Sequence, residues 1–146
     1  MQISINANRC EPSPMRKFHP LAVQAEKAGK KIYHLNIGQP DIATPPEFYR
    51  AVHQFSDKTL AYEASPGRPE LIEAIRHYYG TLGVPLEDND ILVTTGGSEA
   101  LLFTCLSILD PYTEVIIPEP YYPNYTTFVH AAGGVIRALP TNPWEG

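Results

Sequence analysis

Three runs in the second half of the chain are apolar and rich in β-branched residues: 91–95 (Ile91-Leu92-Val93-Thr94-Thr95), 114–118 (Glu114-Val115-Ile116-Ile117-Pro118) and 134–139 (Gly134-Val135-Ile136-Arg137-Ala138-Leu139). Short runs of this kind, bounded by turn residues, predict strands. Segments of helical length, 98–109 and 123–132, lie between them. Strands that alternate with helices form βαβ units, which makes the sheet parallel. Strands this apolar call for helices over both faces. The first half is more punctuated. Leu21, Val23 and Ala25 sit among lysines and lead to Gly29, a helix stop. A short strand is expected at 31–36, running into Ile37-Gly38-Gln39-Pro40-Asp41. Pro45-Pro46 opens a helix over 46–56, because proline suits a first helical turn. Leu71, Ile72, Ile75 and Tyr79 recur with helical spacing over 69–79, and Gly80 is a fitting terminator. The expected class is α/β.

Composition narrows this without redirecting it. A chain of 146 residues with 43% hydrophobic content has the size of one domain and the means to build a core. Its 11 basic residues stand against 16 acidic ones, a net charge of −5, so a general nucleic-acid footprint is not expected. The 15 prolines are roughly twice the usual share and suggest many element boundaries. No apolar run approaches the ~18 residues of a membrane span. The opening MQISINANRCEPSP lacks the apolar stretch of a signal peptide, so the expected compartment is the cytoplasm. Cys10 and Cys105 are expected to be reduced thiols, with Cys105 in the core, and the Asn124-Tyr125-Thr126 sequon is expected to be idle. His19, His34, His53, His77 and His130 show no metal-ligand spacing, and no metal is expected. Glu70, Glu73 and Arg76 read as a solvated helix face.

Four segments can carry chemistry. Thr94-Thr95-Gly96-Gly97-Ser98-Glu99-Ala100 lies where a strand ends and a helix begins. Free N–H groups and a positive dipole welcome an anion there, and paired glycines let a phosphate come close. A plain tight turn with Ser98 as its cap fits those residues equally well. Pro120-Tyr121-Tyr122-Pro123-Asn124-Tyr125 follows the next strand, at the edge where open α/β sheets bind ligands. A tyrosine there offers a flat face to a heterocycle, or the tyrosines simply cover the core. Gly38 can bring backbone N–H groups to a substrate carboxylate, while Asp41 suits an Asx-turn. Tyr62, in Ala61-Tyr62-Glu63-Ala64-Ser65-Pro66-Gly67, is by itself an ordinary loop tyrosine.

Taken in order, the four segments resemble the aspartate aminotransferase family, the class I/II aminotransferases of pyridoxal phosphate (PLP) fold type I. Asn36-Ile37-Gly38-Gln39-Pro40-Asp41 with Thr44-Pro45 is similar to the family's entry segment, and Tyr62 with Gly67 and Leu71-Ile72-Glu73-Ala74-Ile75 to its Tyr…Gly…Leu-Arg-x-Ala-Ile element. Thr95-Gly96-Gly97-Ser98-Glu99-Ala100-Leu101 resembles its phosphate turn, and the tyrosine loop its ring-stacking loop. The resemblance implies that Gly97, Ser98 and Glu99 hold the cofactor phosphate, that Tyr122 stacks on the ring (Tyr121 or Tyr125 if the register slips), and that Gly38 lies near the substrate carboxylate. It further implies a homodimer in which Tyr62 reaches the neighbouring subunit's phosphate, with amino acids and 2-oxo acids as substrates in amino-acid metabolism. Ile72 stands where many members carry arginine, a change expected to affect surface pairing. The family's Schiff-base lysine has no counterpart here: Lys17, Lys27, Lys30, Lys31 and Lys58 all precede the glycine turn, so no catalytic residue is assigned. The implied organisation is an N-terminal arm and small-domain helix over 1–35, then the start of the PLP-binding large domain over 36–146, a truncated form. A non-catalytic phosphate-binding or dimerisation module, and a PLP-dependent lyase of the same fold, are the alternative expectations.

Overall fold

The structure is a computed structural model that describes residues 2–142 and Trp144. Of the terminal stretch 141–146, Pro143, Glu145 and Gly146 lie outside the described residues. The chain divides into two compact units, one made of the residues through Ile37 with those from Thr95 onward, the other of Gly38–Thr94.

The first unit contains α1 (Ile5–Asn8), α2 (His19–Lys27), α5 (Gly97–Ile108), β1 (Glu114–Glu119), α6 (Asn124–Ala131) and β2 (Val135–Pro140). The strands are parallel and joined through α6, with Glu114 opposite Val135 and Ile117 opposite Ala138. This is the βαβ unit expected from the alternation of apolar runs. Val129 of α6 is buried. Gly134 lies against it so closely that an added Cβ would stand 2.9 Å from Val129 Cγ1 and 3.0 Å from Leu109 Cδ1. Val115 and Ile117 are half-buried while Glu114 and Ile116 are exposed, so among the described residues one face of β1 is the better covered.

The short helix α1 is held from outside. Ser4 caps it through Oγ, which accepts from the Ala7 N–H at 3.1 Å. Asn6 Nδ2 donates to Ala131 O at 3.3 Å, Arg9 Nη2 donates to Gly134 O at 3.0 Å, and His130 Nδ1 donates to Arg9 O at 3.0 Å. Cys10 Sγ donates weakly to Asn6 O and Thr127 O. The segment around α1 is thus strapped to α6 and the start of β2.

The second unit contains α3 (Pro46–Gln54), a 3₁₀ turn at Asp88–Asp90, and α4 (Pro69–Thr81). Each helix has proline at its first position. Ile72 of α4 is buried, which corrects the expectation that this position alters surface pairing: it is a core position, and an apolar side chain suits it. Arg76 is not simply solvated. Its Nε donates to Leu86 O at 3.1 Å and Nη1 to Asp88 Oδ1 at 2.8 Å, tying α4 to the turn that follows it.

Two expected strands are not strands. Residues 91–95 run without a ladder, Val93 N–H donating instead to Pro66 O at 2.8 Å, and 31–36 is irregular, with Leu35 95% exposed. A β-strand is completed by its neighbour's N–H and C=O groups. Among the described residues only β1 and β2 supply such a neighbour, and they supply it to each other.

Candidate functional site

Gly96 begins the first candidate element. Its φ of 83° with ψ of 169° is a conformation that glycine adopts without Cβ strain. From there α5 starts at Gly97, and the Glu99 carboxylate turns back to accept a hydrogen bond from the Thr95 N–H at 2.6 Å. This resembles half of a capping box, and an acidic residue in a first turn also suits the helix dipole. The first bond within this turn is from Ala100 N–H to Gly96 O at 3.4 Å, so the N–H groups of Gly97, Ser98 and Glu99 precede the helical ladder. A Cβ on Gly96 or Gly97 would meet nothing within 4 Å, and Ser98 is exposed. The turn is open to an anion and polarised to receive one.

The second element, in the same unit, follows β1. Tyr122 is exposed, whereas Tyr121 and Tyr125 are half-buried. Tyr121 and Tyr125 stack with centroids 6.5 Å apart, and Tyr125 meets Tyr122 edge-on at 5.7 Å and 89°. Asn124 Nδ2 donates to the Tyr122 hydroxyl at 2.8 Å. The ring with an open face in this cluster is therefore Tyr122.

Gly38 and Tyr62 belong to the second unit. Gly38 has open space where a Cβ would project, and Tyr62 is fully exposed. The loop carrying Tyr62 is anchored at its far end. Gly67 has φ 119°, and a Cβ there would fall 2.5 Å from Val93 Cγ2, so only glycine lets the loop close on Val93. This packing and the Asn124 bond escaped the sequence reading. The close Pro120-Tyr121-Tyr122-Pro123-Asn124-Tyr125 spacing was the available signal for Asn124, while nothing local announced Val93. Cys105 on α5 is half-buried, and burial pushes its thiol up, which keeps it protonated and a poor nucleophile.

Residues 30–146 match the family of class I and II aminotransferases. The chain belongs to that family. An aspartate/prephenate aminotransferase of Thermus thermophilus is 31% identical over 146 residues, 99% of this chain and 38% of that protein. A crystal structure of the Rhizobium meliloti aspartate aminotransferase superposes with a TM-score of 0.88 at 30% identity, covering 100% of this chain and 37% of the other. The alanine aminotransferase of Pyrococcus furiosus gives 0.86 at 32% identity, covering 99% and 38%. The chain thus spans about 38% of the length of such relatives. The fold is that of the PLP fold type I aminotransferases, α/β with a parallel sheet.

Aminotransferases of this family depend on PLP, and the residues present fit it in two respects. The turn at Gly96–Gly97 leaves free the volume that side chains would fill, beside the leading N–H groups of α5, and a doubly charged phosphate is the kind of anion such a terminus favours. The exposed Tyr122 ring supplies an aromatic face in the same unit.

Proposed function

We propose that this chain is the N-terminal part of a PLP-dependent aminotransferase that moves an amino group from an amino acid to a 2-oxo acid. The observation that carries the reading is the open glycine turn at the start of α5, in a chain of this family. The N–H groups of Gly97, Ser98 and Glu99, with the Ser98 hydroxyl, donate to the cofactor phosphate. They stand ready without rearrangement because the helix never uses them. Tyr122 lies against the cofactor ring and limits its approach to one plane. Gly38 lets the substrate carboxylate come against the backbone, and Tyr62, whose side chain is fully exposed, extends to the phosphate held by a second subunit of a homodimer. Bound PLP supplies a carbonyl that accepts the amino group and a ring that draws electrons from the substrate Cα–H bond. The lysine that moves the Cα proton is not among the five in this chain that precede the glycine turn, so the residues here bind and orient.

In this reading 1–35 forms an arm and a small-domain helix and 36–146 begins the cofactor-binding domain, in a cytoplasmic enzyme. The test is to assay the full-length protein with PLP, a panel of amino acids and a 2-oxo acid, alongside Ser98→Ala. Transfer of the amino group, with weaker PLP retention in Ser98→Ala, supports the proposal. PLP uptake without turnover on any pair would point to the non-catalytic module, loss of the amino group without transfer to the lyase, and either result would overturn the aminotransferase reading.

A further inference from the structure

We propose that Asn124 is a positioning residue that presets the plane of the Tyr122 ring, an inference that rests on reading Tyr122 as the cofactor-stacking side chain. An exposed tyrosine ordinarily samples several rotamers, and each must be given up when a flat ligand lies against it. Here the ring is restrained at two points that act in different directions. At its tip, Asn124 Nδ2 donates to the hydroxyl at 2.8 Å. Along its side, the Tyr125 ring meets it edge-on at 5.7 Å and 89°, which restrains rotation about the Cβ–ring bond.

Both restraints come from the first turn of α6, where Asn124 is the opening helical residue. Tyr125 N–H donates to Tyr122 O at 3.0 Å, so the backbone that carries the restraints is tied to the residue they act on. Tyr125 is itself backed by Tyr121, stacked on it at 15°, whose hydroxyl accepts from Thr126 Oγ1 at 3.5 Å. The tip bond is specific to tyrosine. A phenylalanine at 122 keeps the ring and leaves Asn124 with nothing to hold, so the two substitutions report on one bond.

The experiment uses the full-length protein and 4′-deoxypyridoxine 5′-phosphate, which has the ring and phosphate and lacks the aldehyde. Ring order of Tyr122 is read without ligand by NMR on ring-labelled tyrosine, the signal being assigned by its loss in Tyr122→Phe. Probe affinity is read by equilibrium dialysis. Asn124→Ala is expected to loosen the ring and weaken the probe about three- to tenfold, the usual worth of one hydrogen bond expressed as an affinity ratio. In the Tyr122→Phe background it should change affinity no further. Asn124→Asp, whose carboxylate accepts from the Tyr122 hydroxyl, should restore both readings. Asn124→Ser keeps a residue favoured at helix starts but falls short of the phenol, and it serves the same comparison if Asn124→Ala does not fold. An unchanged ring order, or equal losses of affinity with Tyr and with Phe at 122, would overturn the proposal. If the wild-type protein takes up no probe while Asn124→Ala still loosens the ring, the positioning stands and the cofactor reading fails.

Discussion

The Glu99 carboxylate both assists and opposes an anion at the start of α5. It holds the Thr95 N–H at 2.6 Å and so keeps the glycine turn in shape, yet it brings a negative charge to the place where a phosphate would bind. The two effects separate by substitution. Glu99→Gln keeps an acceptor oxygen and removes the charge, so a phosphate-bearing probe should bind as tightly as to wild type or more so; Glu99→Ala loses the acceptor and should bind several-fold more weakly, as isothermal titration can measure. The glycines divide in a similar way. Gly67→Ala drives a Cβ into Val93 from a left-handed backbone and should cost about 2–4 kcal/mol in urea unfolding. Gly97→Ala meets open space, so it should leave the urea midpoint nearly unchanged and act instead on phosphate affinity.

At the scale of elements, the parallel pair carries a charge bridge on its exposed face. Arg137 donates from Nε and Nη2 to Glu114 Oε1, and this guanidinium holds the Glu114 carboxyl below its usual range. A carboxyl depressed in the folded state stabilises the protein above the pKa of the unfolded chain, and the contribution is lost as pH falls through the lowered value. Thermal midpoints of wild type and Glu114→Gln should therefore differ slightly at neutral pH, converge in acid, and draw together in added salt, since both side chains are exposed. Helices and the β1–β2 pair were readable because their signals are local: prolines open α3 and α4, and apolar runs mark β1 and β2. The glycine turn that opens α5 was readable for the same reason, as Gly96, Gly97 and Ser98 are neighbours. What escaped depends on distant partners. Residues 91–95 have the composition of a strand and no ladder, Ile72 is buried by tertiary packing, and the polar residues of α1 become helical against α6.

At the scale of the whole molecule, among the described residues, two hydrogen bonds of long sequence reach join the segment around α1 to the end of α6 and the start of β2. Arg9 and Gly134 are 125 positions apart, and Asn6 and Ala131 are equally distant. Arg9→Ala removes the bond to Gly134 O and should lower stability by about 1 kcal/mol, with faster amide exchange in α1 as the local sign that the strap has loosened. The same strap sets an order of events during synthesis. Residues 6–9 leave the ribosome well before the surface that receives them, which is translated more than a hundred residues later. At ~5–20 residues per second this is an interval of roughly 6–25 s in which Asn6 and Arg9 have nowhere to dock. Throughout that time these residues are open to proteases and chaperones, so a segment made long before its docking surface is protected late.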